Sequence, residues 1–472
     1  VLAHSRVGVQ HGRKPSCFDE IWQREDETDY QTEISGRGVT EMTIMLKNIL
    51  TALFDNGEFT LEATDVYIDG DQIVGVGSAP PDFAAATVID GYNKLLLPGL
   101  INAHNHSYMT LLRNYADDLP FNAWLFDHIL PVEDKLTGED CYWGSLLGIM
   151  EMLRTGTTCF FDMYMFINET SRAVAESGIR ACLSRGLVGE GRDEGGQRRL
   201  RDAKAEIADW GKQNNPLITF MLSAHAPYTC NPEYLTQVVA EAKDLGLGLC
   251  IHLAESRNEV STIKEKYHAT PAEYLDRIGF FDVPTLAAHC VHLTESDMDI
   301  LAAKKVNVVT NPVSNLKLAN GFAPLGAMLD KGINICLGTD GAASNNTQNL
   351  FKDLQFVTLV HKGRQEDAEL IRATDGLRFA TVNGAKALGL SEAVGCIREG
   401  MKADLIILDI DRPQFYPRHN MLAALAYSAT GEEVETVIVN GKVLYEKNEY
   451  KTIDAEKVLY QVNKISERLT QS

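Results

Sequence analysis

Histidine and acid side chains stand in this sequence where apolar runs stop, and such groups can hold a metal ion and move protons. One run closes as Pro98-Gly-Leu-Ile-Asn-Ala-His104-Asn105-His106. Residues two apart on a strand share a side, so both imidazoles can face one ion, with hydrogen-bonded surface histidines as the plainer alternative. A second run ends Cys250-Ile-His252-Leu-Ala-Glu255. Three-residue spacing puts two groups on opposite faces of a regular strand, so the strand is expected to finish near His252, with Glu255 leaning back from the loop. From there Glu255 can take a proton from water and hand it to a substrate ring nitrogen, although a structural pair has the same spacing. Two further runs end Ala287-Ala288-His289-Cys290-Val291-His292 and Leu337-Gly338-Thr339-Asp340-Gly341. Singly, these read as a hydrogen-bonded structural histidine and a turn aspartate. Jointly, four such ends at one mouth point to metal-assisted hydrolysis.

The elements that must position these groups repeat along the chain. Apolar runs at Leu95 to His106, Thr157 to Tyr164, Ile179 to Leu187 and Ile218 to His225 are followed by Gly248 to His252, Thr285 to His289, Val306 to Thr310 and Ile333 to Gly338. Helix-length segments separate them. Eight such units predict an α/β fold, a (β/α)8 TIM-like barrel with its site at the carboxyl ends of the strands. An open doubly wound sheet is the alternative, but it would carry a Gly-rich phosphate loop where this chain has two histidines.

Short alternating segments flank the barrel. Asp69-Gly70-Asp71 and Asn440-Gly441 are hairpin signals between β-like runs near the two ends. The expected organisation is a small discontinuous β-sandwich domain from 42–97 and 393–450, a barrel over 98–392 and a C-terminal helix over 451–472. The polar, aperiodic residues 1–41 are expected to be a disordered extension or extraneous to the fold.

At 472 residues the chain can bury a barrel-sized core. Its formal net charge of -21, without a basic cluster, would repel nucleic acid and anionic lipid. No run approaches the roughly 18 to 20 apolar residues that span a bilayer. The nine cysteines lack CxxC pairing and lie mostly in apolar runs, so buried reduced thiols and a cytoplasmic location are expected. His4, His11, His268, His361 and His419 receive no role. Monomer and homo-oligomer both stay open.

From Met42 onward the chain resembles the amidohydrolase superfamily and, within it, enzymes that deaminate 5'-methylthioadenosine and S-adenosylhomocysteine. The resemblance rests on Pro98 to His106, His252-Leu-Ala-Glu255, Ala288-His-Cys-Val-His-Leu293, Asn311-Pro-Val-Ser-Asn-Leu-Lys-Leu318 and Gly338-Thr-Asp-Gly-Ala-Ala-Ser-Asn-Asn346. It implies one zinc or related divalent ion on His104, His106, His252 and Asp340, with His289 beside the attacking water and Glu255 shuttling protons. The fourth run has no lysine that could bridge a second ion, which favours one metal. It also implies substrate contacts from Trp124, Glu133, Arg185, His225 and Glu255, Trp124 packing on the nucleoside and Glu133 accepting ribose hydroxyls. Gln197, followed by Arg198 and Arg199, stands where some members carry a second arginine, so the methylthio substrate is favoured over S-adenosylhomocysteine, with adenosine a third. Rival readings are a triazine-type chlorohydrolase, a guanine-type deaminase and a non-catalytic metal-binding protein.

Overall fold

The computed structural model describes residues 43–470. The expectation for residues 1–41 therefore lies outside the described residues. Among the described residues, seventeen strands form two sheets. The amino-terminal part supplies β1 (Thr43–Asp55), β2 (Glu58–Asp69), β3 (Gln72–Val76), β4 (Thr87–Asp90) and β5 (Lys94–Pro98). The middle supplies β6 (Leu100–Asn105), β7 (Thr157–Tyr164), β8 (Arg180–Leu187), β9 (Ile218–Ala224), β10 (Gly248–Leu253), β11 (Thr285–His289), β12 (Asn307–Thr310) and β13 (Ile335–Leu337). The carboxyl-terminal part supplies β14 (Leu405–Asp409), β15 (Val434–Val439), β16 (Lys442–Glu446) and β17 (Glu449–Tyr450).

Strands β6 to β13 run parallel, each paired with its sequence neighbour, and helices connect them. The edge strands meet through side chain and backbone. Asn102 donates to Thr339 Oγ1 at 2.7 Å and accepts from the Thr339 N–H at 3.0 Å, and the Asp340 N–H donates to the His104 carbonyl at 3.0 Å. The expected TIM-like barrel is thus present, nearly closed, with helices whose starts are locally encoded. Thr137, Thr270 and Thr294 each form a capping box with an acid three residues on.

The first apolar run is not one strand. Leu95 to Pro98 belong to β5 of the second sheet, and the chain enters the barrel only after Gly99. A Cβ at Gly99 would lie 2.0 Å from Thr158 Oγ1, so the crossing between sheets requires glycine. Continuous hydrophobicity hid the break because both strands are buried.

Nine strands from both ends of the chain make the second sheet, in the order β17-β16-β15-β14-β5-β1-β2-β3, with β4 beside β1. A register shift between Leu46 and Ile49 interrupts the β1–β2 ladder, and the sheet encloses an apolar cluster of Leu46, Ile49, Leu96, Ile407 and Ile438. The two expected hairpins are present. Asn440 and Gly441 both have positive φ (51° and 76°), as a two-residue turn of this hand demands.

One buried ion pair ties the sheets together. Arg180 of β8 donates through Nε and Nη2 to the two carboxylate oxygens of Asp404 at 2.7 and 3.0 Å, and Asp404 also accepts from the Asn440 N–H at 2.8 Å. Removing one partner of such a pair costs about 3–5 kcal/mol, because the other charge stays buried and uncompensated. Asp404→Ala is expected to lower the denaturation midpoint accordingly, while a joint Arg180→Met/Asp404→Leu replacement loses less. Equal losses in a urea titration would contradict this role.

Candidate active site

Strand ends β6, β10 and β11 and the loop after β13 bring His104, His106, His252, His289 and Asp340 into one buried cluster. The His104 ring lies 4.9 Å from His106, 5.0 Å from His252 and 5.5 Å from His289, centroid to centroid. Asp340 Oδ1 is 3.5 Å from His104 Nε2 and 3.3 Å from His106 Nε2. Donor atoms of His104, His106 and His252 lie within 4.8 Å of one another, as do those of His104, His289 and Asp340.

Local bonds decide which atoms face the centre. His106 Nδ1 donates to the Met163 carbonyl at 2.5 Å and His252 Nδ1 to the His225 carbonyl at 2.7 Å. Each imidazole is left with an Nε2 lone pair for an ion. Asp340 Oδ2 accepts from Ser314 (2.6 Å) and Ser344 (2.8 Å), which leaves Oδ1 to the cluster. Its backbone, like that of His289, sits at positive φ (64° and 71°). Non-glycine residues hold that conformation only where surrounding contacts over-determine it.

Does the donor set fit a metal? His104 is fully buried and, among the described residues, neither ring nitrogen has a hydrogen-bond partner, a costly state that coordination relieves. Burial pushes His104 down to about 4 and His252 well below the usual histidine range, which keeps both neutral as ligands must be. Burial would raise Asp340, but the facing His104 and His106 hold it well below the usual carboxylate range. Three imidazoles and one carboxylate are a donor set that zinc accepts.

Glu255 and His289 complete the mouth, with Glu255 Oε2 3.9 Å from His289 Nε2. Burial raises the Glu255 carboxyl and the nearby His289 opposes this. The loop carrying it turns back as expected. Ala254 has positive φ, and the N–H groups of Ala254 and Glu255 donate to Glu259 at 2.7 and 2.9 Å. His225 lies beside the cluster, its ring 4.9 Å from His252 and its Nδ1 3.0 Å from Thr229 Oγ1.

The remaining sequence candidates divide. Trp124 and Glu133 are both buried, on the helical turns Ala123–Ile129 and Leu130–Glu133. Glu133 accepts from the Tyr164 phenol, whose ring lies 5.5 Å from His106. Arg185 instead donates to both oxygens of Glu206 at 2.8 Å, with no hydrogen bond to the cluster. Gln197 bonds Gln237, and Arg199 donates to the Val188 carbonyl.

Sequence reasoning missed the groups that hold the site. His289 Nδ1 donates to Asn315 Oδ1 at 2.9 Å, and Asn320 donates to Glu255 Oε1 at 3.0 Å. The available signal was the density of Asn and Ser from Asn311 to Asn320 directly after an apolar run, where the structure buries Asn311, Ser314, Asn315 and Asn320.

Eight parallel strands with a His/Asp cluster at their carboxyl ends define a metal-dependent hydrolase barrel. The amidohydrolase family profile matches residues 95–444, and the chain belongs to that family. A 5-methylthioadenosine/S-adenosylhomocysteine deaminase of Thermoanaerobacter pseudethanolicus is 47% identical over 430 residues, 91% of this chain and 100% of the relative. The structure of an adenosine deaminase from Xanthomonas campestris with bound zinc superposes with a TM-score of 0.86 at 31% identity, over 91% of this chain and 99% of that one. An atrazine chlorohydrolase from Arthrobacter aurescens TC1, complexed with zinc, shares the fold at TM-score 0.82 and 24% identity, over 90% and 100% of the two chains.

Purified protein is expected to carry one divalent ion per chain by elemental analysis. His252→Ala should lower the bound metal at least about tenfold under dialysis; full retention would exclude this residue as a ligand.

Proposed function

We propose that the protein hydrolyses the amino group from adenosine-type nucleosides, 5'-methylthioadenosine and S-adenosylhomocysteine first among them and adenosine third, releasing the inosine analogue and ammonia. The observation that carries this reading is the placement of Glu255 beside His289 at the edge of the buried histidine and aspartate cluster, an acid over and above the donors that an ion requires. We take His104, His106, His252 and Asp340 as the ligands and zinc as the ion, which when bound supplies a water nucleophilic at neutral pH.

The chain's own groups do the rest. Glu255 accepts a proton from the attacking water and delivers it to the ring nitrogen beside the carbon that bears the amino group. A carboxyl raised by burial suits both halves of that transfer. Asp340 Oδ1 accepts from the same water and orients it, while Ser314 and Ser344 fix the other oxygen. His289, its Nδ1 committed to Asn315, places Nε2 beside the attacking water and helps hold its oxygen against the ring carbon. The second proton of the attacking oxygen, accepted by Asp340, passes to the amino group as the carbon–nitrogen bond breaks, so that ammonia leaves and a ring carbonyl remains.

Trp124, Glu133 and His225 form the nucleoside's surroundings in this reading, Glu133 accepting ribose hydroxyls. For Arg185 to touch substrate it must be released from Glu206. A triazine or a free purine base has no ribose for Glu133 to grip, which favours the nucleoside reading over both rivals. Among the described residues no helix is long and apolar enough to cross a membrane, and all eight cysteines are free. Unpaired thiols support a reducing, cytoplasmic setting.

Metal-loaded protein should release ammonia from 5'-methylthioadenosine, S-adenosylhomocysteine or adenosine, but not from adenine. Turnover of free bases alone would overturn the substrate class. Glu255→Gln is expected to keep its metal and lose turnover by a factor on the order of a hundred or more; wild-type rates in that variant would sink the proton-transfer role.

A further inference from the structure

The buried Glu133 carboxylate has one side-chain hydrogen-bond donor among the described residues, the phenol of Tyr164. Tyr164 ends β7, and its ring is clamped. It stacks on Tyr108 with centroids 3.7 Å apart and planes at 22°, and it leans on His106 at 5.5 Å. Tyr108 is itself pinned, its hydroxyl accepting the Met165 N–H at 2.8 Å. The phenol therefore fixes where Glu133 Oε1 sits, one aromatic ring away from the imidazole cluster.

A carboxylate has two oxygens and about four acceptor sites, so a fixed donor at Oε1 sets the orientation of the remaining lone pairs. Such orientation matters for a diol, whose two hydroxyls must find acceptors together. Without the phenol the carboxylate would be free to rotate. It would also tend to take up a proton, since burial raises its proton affinity and the phenol opposes that. In either case it would accept two hydroxyl protons poorly.

We infer that Tyr164 is a positioning and specificity-determining residue, which orients Glu133 so that the site selects nucleosides with an intact ribose diol over their 2'-deoxy counterparts. This rests on the reading of Glu133 as the acceptor of ribose hydroxyls. Tyr164 acts through Glu133 and need not touch substrate.

The test compares kcat and KM of the metal-loaded enzyme for 5'-methylthioadenosine and 5'-methylthio-2'-deoxyadenosine in Tyr164→Phe, Glu133→Gln and the double variant. Tyr164→Phe keeps the ring that packs on Tyr108 and His106. It is expected to reduce the ribose-to-deoxyribose ratio of kcat/KM on the order of tenfold, the loss of one hydrogen bond to a charged group, with the change carried by the ribonucleoside's KM. On the Glu133→Gln background the same substitution should reduce the ratio no further, which a general packing defect would not reproduce. A collapsed ratio in Glu133→Gln with an unchanged ratio in Tyr164→Phe overturns the role of Tyr164 alone, and so do additive losses. An unchanged ratio in both single variants overturns the ribose reading of Glu133, and this inference with it.

Discussion

Four imidazoles and two carboxylates lie buried at one mouth of the barrel, and the rest of the structure serves to make that concentration of ionisable groups tolerable. Buried polar atoms need partners, and buried charges need opposite charges or a cation. The solution is layered. Backbone carbonyls of Met163 and His225 take one nitrogen of His106 and His252. Two serines take one oxygen of Asp340, and Asn315 and Asn320 hold His289 and Glu255. What stays unpartnered is His104, at the middle of the cluster, where coordination is the natural completion.

The parallel barrel follows from the same need. Its strands come from distant parts of the chain and end at a common level, so groups far apart in sequence meet without long loops. Positive φ at Ala254, His289 and Asp340 shows how the last residue or two of each excursion is bent to aim a side chain. Those bends are held by specific bonds, such as Glu259 to two successive N–H groups.

Much of this was legible in the sequence because strand periodicity and residue chemistry coincide there. The pair His104 and His106, the short reach of Glu255 past His252, and the aspartate after the last run all followed from spacing. Other features were not legible, for two physical reasons. A buried strand of the second sheet and a buried barrel strand have the same hydrophobic texture, so the break at Gly99 left no mark in apolar content. Supporting groups such as Asn315, Asn320 and Tyr164 acquire meaning only from partners tens of residues away, which composition does not encode. Arg185 shows the converse: the resemblance implies a substrate contact, yet its guanidinium found a carboxylate on the neighbouring helix.

The second sheet has a bearing on how the chain is made. Strand β5 pairs with β14 through Leu97 and Ile406, and β14 with β15, so the edge of β5 that faces away from β1 has no partner until the whole barrel has been synthesised. A growing chain thus carries an exposed apolar strand edge throughout elongation of the barrel, a surface on which unfinished chains can pair with one another. The pairing of Arg180 with Asp404 also waits until the barrel strands have been made, since Asp404 immediately precedes β14. Nascent chains truncated before residue 404 therefore present the ribosome and its chaperones with a catalytic mouth already encoded and an open flank still waiting for its cover.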